Sequence, residues 1–395
     1  MNRILIFTGK GGVGKTSIAC AHAVKSAKEG VKTLLVSTDM AHNLGDVFEQ
    51  TLGKEITPIN EALDVYEIDP THIRKEEFGD VTRCFESMLS MGIQKNEDSV
   101  DLEMLPGMEE LFALLMIQKI YQERKYTRII VDCAPTGETL ALLKFPELLS
   151  WYMEKLFPLG KVAMRVLSPL SKQLFQVELP NKQAMNDIER LYCQLFELQE
   201  LLKNREVTSV KLVAIPEKMV VEETKRNYMY MNLYNFNVDA LYVNRILPQE
   251  VENPFFKEWK SIQKKHQKEL EATFYEIPIY KVNWYEKEVK GMEAVERICR
   301  DALLEDDLFE SKAVTKRECF EKVSEGYLLR VHLPNANKEE LDLYQSTSDL
   351  VIKLHNFKRN IPLPNTLRSF VIQSAKFEGE WLKLLFVKGE QKNES

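Results

Sequence analysis

The chain has 395 residues, a net charge of −7, and 44% hydrophobic and 29% charged residues, the balance of a globular protein long enough for two or three domains. No Lys/Arg stripe with interleaved aromatics occurs, which argues against nucleic acid as a partner. No run of 18 apolar residues occurs either, so no transmembrane segment is expected. The six cysteines are widely spaced without a C-x-x-C pair and read as small buried hydrophobes of a reducing cytoplasmic compartment. Arg3 and the apolar run after it imitate a secretion signal, but that run is four residues long and Lys10 and Lys15 end it.

Ile4 to Phe7 reads as a buried strand, and Lys15 to about Glu29, Ala-rich and closed by Gly30, reads as a helix. Between them lies Gly9-Lys10-Gly11-Gly12-Val13-Gly14-Lys15-Thr16, followed by Ser17. Glycines at this spacing let backbone N–H groups turn inward around a polyphosphate. Lys15 is then in reach of the β- and γ-phosphates, and the Thr16 hydroxyl of Mg²⁺. The expected ligands are therefore ATP and Mg²⁺. The second lysine, Lys10, makes this stretch resemble the deviant phosphate loop of the family of MinD, the nitrogenase iron protein and the arsenical pump ATPase. That resemblance implies a homodimer in which Lys10 reaches the partner's nucleotide. Read without it, Lys10 is a solvated surface cation.

Val31 to Ser37 is the next strand, running into Ser37-Thr38-Asp39-Met40-Ala41-His42-Asn43-Leu44-Gly45-Asp46. This segment resembles the first switch, S-T-D-P-A-H-x-L-x-D, of one branch: the arsenical pump ATPase (ArsA) and the guided-entry ATPase that targets tail-anchored proteins. The resemblance implies that Asp39 orients the attacking water. On local chemistry alone Asp39 is also a good Asx turn or N-cap. Met40 replaces the proline and frees a fixed φ. Asp64 to Ile68 reads as a strand, about 71–123 as helical, and Arg128 to Val131 as a strand ending in Asp132. A carboxylate at that strand end is placed to hold Mg²⁺ through water. The following Cys133 to Leu140 resembles the second switch, D-T-A-P-T-G-H-T-L, with departures at Cys133 and Glu138.

Residues 88 to 185 hold eight of the 14 Met: Met88, Met91, Met104, Met108, Met116, Met153, Met164 and Met185. Flexible thioethers suit either a groove for varied apolar segments or an ordinary helical core; the family position, a helical subdomain within about 71–126 and 144–205, implies the groove. Sheet signals resume at Val210 to Ile215 and Asp239 to Arg245, separated by a helix over Val220 to Leu233. Tyr242-Val243-Asn244-Arg245-Ile246-Leu247-Pro248 resembles the family's V-V-N-x-x-L-P, which implies that the Asn244 amide meets the adenine edge. Ile277-Pro278-Ile279-Tyr280 resembles the adenine-side loop, which adds Pro278 to the nucleotide contacts, and Glu288 to Glu293 resembles its continuation. Alternating strands and helices over 1–300 predict an α/β fold: a doubly wound, mostly parallel P-loop sheet with an inserted helical subdomain.

Residues 301–318 are charged and aperiodic and read as a linker. Beyond them, over 319–390, Tyr327 to Leu333, Leu350 to Leu354 and Trp381 to Phe386 alternate as short strands without helices, a small β-sandwich. It resembles the α-crystallin domain of small heat-shock proteins, with Asn335 in place of a glycine and Gly379 one position early. Three functions follow from these resemblances. The first is a switch ATPase that captures and releases a hydrophobic protein segment, with a membrane partner protein. The second is an arsenite or antimonite efflux motor, for which Cys84 and Cys193 would have to converge. The third is a nucleotide-gated interaction protein with very slow turnover.

Overall fold

The computed structural model describes residues 2–39, 43–83, 108–133, 194–312, 317–346, 349–355, 357–363, 365–367 and 369–388. Eight strands form one sheet in the order β3-β4-β2-β5-β1-β6-β7-β8. These are β1 (Arg3–Thr8), β2 (Thr33–Ser37), β3 (Thr57–Pro58), β4 (Leu63–Glu67), β5 (Arg128–Asp132), β6 (Thr208–Ala214), β7 (Val238–Ile246) and β8 (Ile279–Asn283). Every pairing is parallel except β3 with β4. All residues of β1, β2, β4 and β6 are buried, because parallel strands covered by helices on both faces have no wet side to alternate with.

From β1 the chain moves one way through β2 to β4. From β6 it moves the other way through β7 to β8. That reversal opens a crevice at the carboxyl ends of the central strands. The helices around the sheet are α1 (Lys15–Lys28), α2 (Asn43–Phe48), α3 (Pro70–Glu76), α4 (Met108–Gln122), α5 (Lys218–Leu233), α6 (Phe256–Thr273) and α7 (Met292–Ala302), and α1 packs on α7. The stretch from Ile279 adds a strand where the sequence pointed only to a loop. It pairs with β7, and its alternating burial is that of an edge. No helix among the described residues is long and apolar enough to cross a membrane.

The C-terminal part is a sandwich of two antiparallel sheets, β14-β15-β10-β9 and β11-β12-β13. The strands read from the sequence are β10 (Gly326–His332), β12 (Asp349–Leu354) and β15 (Trp381–Lys388); β9 (Glu318–Val323), β11 (Leu341–Gln345), β13 (Phe357–Pro362) and β14 (Phe370–Glu378) are added by the structure. Leu329, Val331, Ile352, Leu354, Leu384 and Phe386 fill the space between the sheets. Asn335, the residue in place of glycine, takes φ 61°, a conformation that asparagine tolerates.

The sandwich docks on the second half of α5. Tyr230 stacks on Phe357 with ring centroids 3.6 Å apart, the Tyr234 hydroxyl donates to the Lys358 carbonyl at 2.9 Å, and Arg359 donates to the Leu233 carbonyl. Arg317, fully buried, donates to Glu276, to His332 Nδ1 and to the Tyr228 hydroxyl.

The aperiodic stretch after α7 is anchored over its described part. Leu308 and Phe309 are buried, Arg3 Nε donates to the Phe309 carbonyl at 3.2 Å, and the Arg128 guanidinium sits 3.9 Å from the Phe309 ring. Arg3 and Arg128 lie more than 170 residues upstream of Phe309, so nothing in the local pattern announced them.

Candidate nucleotide site

The loop between β1 and α1 is shaped by close approach. A Cβ on Gly9 would lie 2.1 Å from the Val213 carbonyl oxygen, and one on Gly14 would lie 2.3 Å from Asn244 Nδ2. The Val213 carbonyl is backbone of a paired strand and cannot retreat, and the Asn244 amide is held where it is by its bond to the Val13 carbonyl. Gly14, at φ 92°, is the N-cap of α1, and no side chain caps that end. The orphan N–H groups of the first turn therefore face the loop, as an anion site requires. Gly11 and Gly12 are exposed while Val13 is buried, so the loop opens to solvent on one side only.

Lys15 is 5% exposed, and its ammonium lies 3.5 Å from the Lys10 carbonyl, the outer limit of a hydrogen bond. Thr16 and Ser17 follow on the first turn of α1. Lys10 points elsewhere: its ammonium is 3.4 Å from Glu223 of α5, with both side chains about one-third exposed. For Lys10 to serve a partner's nucleotide it must leave Glu223, an exchange that costs little at this exposure.

The ends of β1, β2 and β5 meet beside the loop. Asp132 pairs in register with Phe7 and with Ser37, and its carbonyl accepts from the Thr38 N–H at 3.0 Å. Its side chain is 0% exposed, and both carboxylate oxygens lack a hydrogen-bonding partner of good geometry. Burial pushes this carboxyl up to about 6; nearby Thr16 and Lys15 offset part of the shift, and the Asp39 charge adds to it. A buried, unsatisfied carboxylate close to a threonine hydroxyl is a hard-oxygen donor set suited to Mg²⁺ held partly through water. Asp39 is partly buried, and its N–H donates to Ser37 Oγ at 3.2 Å. Thr38 Oγ1 lies 3.7 Å from the Cys133 sulfur, which ties the two strand ends together.

Asn244 sits at the carboxyl end of β7, 7% exposed, and its Nδ2 donates to the Val13 carbonyl at 2.9 Å. One of its amide hydrogens is thus directed at the phosphate loop. Pro278 accepts the Leu241 N–H at 3.0 Å, joining the start of β8 to β7. Met40 to His42, Ala134 to Leu140, Cys84, Cys193 and most of the Met-rich region lie outside the described residues.

Two contributors escaped sequence reasoning. Glu67, at the end of β4, accepts from the N–H groups of Leu44 and Gly45 at 2.8 and 3.2 Å and so fixes the start of α2, the helix that follows Asp39. Its signal was a carboxylate ending a buried strand. Glu223, the partner of Lys10, had none, because it lies 213 positions away on an ordinary helix face.

A glycine-rich loop between the first parallel strand and its helix, with Lys15 and a buried Asp132 at the switch point, defines a P-loop nucleoside triphosphatase. The chain belongs to the anion-transporting ATPase (ArsA) family, whose model matches residues 2–304, and it is an ATPase of that family. A model for the HSP20-like domain found in ArsA matches residues 324–386. A protein of Aquifex aeolicus (strain VF5) named for driving an arsenical pump is 35% identical over 95% of this chain and 98% of its own. Another so named, from Prosthecochloris vibrioformis, is 35% identical over 97% and 96%. The ATPase get3 of Pyrenophora tritici-repentis is 30% identical over 75% of this chain and 89% of its own.

Proposed function

We propose that the protein hydrolyses ATP as a cytoplasmic dimeric switch and uses the cycle to capture and release a hydrophobic protein segment. The observation that carries the chemical half is the convergence of Lys15, Asp132 and Asp39 at the carboxyl ends of β1, β2 and β5. The loop N–H groups and Lys15 bind and orient the β- and γ-phosphates. Mg²⁺, held by the Thr16 hydroxyl and through water by Asp132, supplies charge neutralisation on the phosphates when bound. Asp39, kept close to Asp132 by the Thr38–Asp132 strand pairing, accepts a hydrogen bond from the attacking water. Lys10, released from Glu223, adds positive charge at the partner's nucleotide in a symmetric dimer. Pro278, and Asn244 through the loop to which its amide is bonded, complete the nucleotide site. The proposed units are the ATPase domain over 1–300 and the sandwich over 319–390.

The capture half is supported by the likeness to the get3 ATPases and by the Met-rich stretch over 88–185. The second reading, a metalloid efflux motor, is favoured by the names of the relatives that match both the ATPase domain and the sandwich. One experiment separates them: single-turnover phosphate release from the full chain, with antimonite, with an apolar helical peptide, or with neither. Peptide-dependent change without antimonite stimulation is expected, and several-fold stimulation by antimonite would favour the motor. In the same assay Asp39→Asn is expected to lose about 10²- to 10⁴-fold in turnover, with ATP affinity held within a few-fold. Near-wild-type release would return Asp39 to the role of a turn residue.

A further inference from the structure

The backbone around Asn244 is irregular, and the irregularity is held from α6. β7 slips its register against β8 between Val243 and Ile246, and inside that bulge Arg245 takes φ 55°. A left-handed conformation at a non-glycine residue costs about 1–2 kcal/mol and persists where the surroundings over-determine it. Gln263 of α6, 7% exposed, supplies that constraint with both ends of its amide. Nε2 donates to the Arg245 carbonyl at 3.0 Å, and Oε1 accepts the Leu247 N–H at 2.9 Å. The Ile246 carbonyl accepts the Trp284 N–H at 2.8 Å, so the chain is fixed on both sides of the bulge.

The bulge turns the Asn244 side chain under the phosphate loop. Its Oδ1 accepts the Arg245 N–H at 2.9 Å and its Nδ2 donates to the Val13 carbonyl at 2.9 Å. Gly14 has no room for a Cβ because Asn244 Nδ2 occupies that space. Asn244 and the loop are thus mutually fitted at Val13 and Gly14, the two residues that turn the loop into α1.

Resting on the reading that this loop binds ATP phosphates, we infer that Asn244 braces the phosphate loop and that Gln263 is a positioning residue acting through it. The amide fixes the Val13 peptide plane, and with it the direction of the N–H groups that follow. Preorganised donors lose no orientation energy when the anion arrives, so the brace acts on phosphate affinity whichever base the nucleotide carries. An Asn244 devoted to the adenine edge would act on the base alone.

The test is displacement of a ribose-labelled fluorescent ATP from the full-length protein by ATP and by inorganic tripolyphosphate, both with Mg²⁺. Asn244→Ala and Gln263→Leu are each expected to weaken ATP and tripolyphosphate by the same factor, roughly 5- to 10-fold, the scale of one buried hydrogen bond. The double variant should lose no more than the larger single one, since both act through one element. KM for ATP should rise by the same factor while kcat stays within two- to threefold. Should Gln263→Leu fold poorly, Gln263→Met keeps the length of the side chain, loses both hydrogen bonds without adding charge, and should weaken both ligands in parallel. Loss confined to ATP in Asn244→Ala, or unchanged binding of both ligands in the Gln263 variants, overturns the inference. A wild-type protein that binds neither ligand overturns the nucleotide reading itself.

Discussion

Two places in the central sheet bury charge, and they treat it differently. Between β6 and β7 Lys211 and Asp239 face each other at 2.8 Å with side chains 1% and 0% exposed, and at the start of β1 Arg3 donates to the carbonyls of Phe309, Arg205 and Glu206 and to Ser209 Oγ. Desolvation pulls the Lys211 ammonium below its ordinary range, and Asp239 opposes the shift. At the carboxyl ends of β1, β2 and β5 Asp132 is as deeply buried and, like Asp239, has no hydrogen bond of good geometry, but no cation among the described residues forms an ion pair with it, and Lys15 reaches one carbonyl at 3.5 Å. A charge that serves the fold is matched by a fixed group of opposite sign. On the function proposed above, the Asp132 carboxylate is instead kept for a ligand, at a cost in stability.

The comparison breaks most visibly at the Lys211–Asp239 pair. Lys211→Met strands Asp239 in the core and is expected to cost about 3–5 kcal/mol in urea unfolding, whereas Lys211→Met with Asp239→Leu should recover most of it. Equal stability of the single and double variants would mean that the pair is not what holds β6 to β7.

The carboxyl ends of β1, β2 and β5 should respond with the opposite sign. Asp132→Asn removes an unmatched carboxylate, so the nucleotide-free protein is expected to gain about 2–3 kcal/mol at pH 7.5, from a shift of roughly two units at 1.36 kcal/mol each, while turnover falls. With the folded-state value raised to about 6, the wild type's protonated form is favoured below about pH 4 and that advantage is lost as pH rises through 6. The variant's gain should therefore fade on acidification, which unfolding at pH 7.5 and pH 4.5 would reveal. A gain that does not depend on pH would point to packing instead.

A third buried group sharpens the contrast. His22 of α1 is fully buried, with Nδ1 donating to the Ile18 carbonyl at 2.8 Å and Nε2 accepting from the Tyr242 hydroxyl at 2.8 Å. Burial lowers its imidazole to about 3. Because the unfolded chain protonates first, His22 contributes stability that is complete above pH 6.5 and is lost as pH falls toward 3. About 2 kcal/mol should disappear between pH 7 and pH 5 from this group. His22→Gln should flatten that slope in chemical unfolding, and an unchanged slope would assign the acid sensitivity to other residues.

Much of this was legible in the chain itself. The apolar runs of β1, β2, β5, β6 and β7 and the Gly9 to Thr16 spacing define the strand, loop and helix order, because both patterns are local: burial on two faces writes a continuous hydrophobic run, and a phosphate cradle demands glycine at fixed offsets. β9, β11, β13 and β14 were not legible. Polar or charged residues interrupt each of them, and their pairing depends on neighbours that the local pattern does not name. Fully extended reasoning along the chain also could not decide where polar side chains point. Lys10 meets Glu223, Glu67 holds the start of α2, Arg3 binds the segment at Phe309, and Asn244 lies against Val13. A hydrogen bond has a reach of about 3 Å and no period in sequence, so partners separated by 23 to 306 positions are chosen by how the strands and helices stack. The sequence determined that a glycine-rich loop joins the first strand to its helix, and the tertiary structure decided which buried charges among the described residues have a partner of opposite sign and which do not.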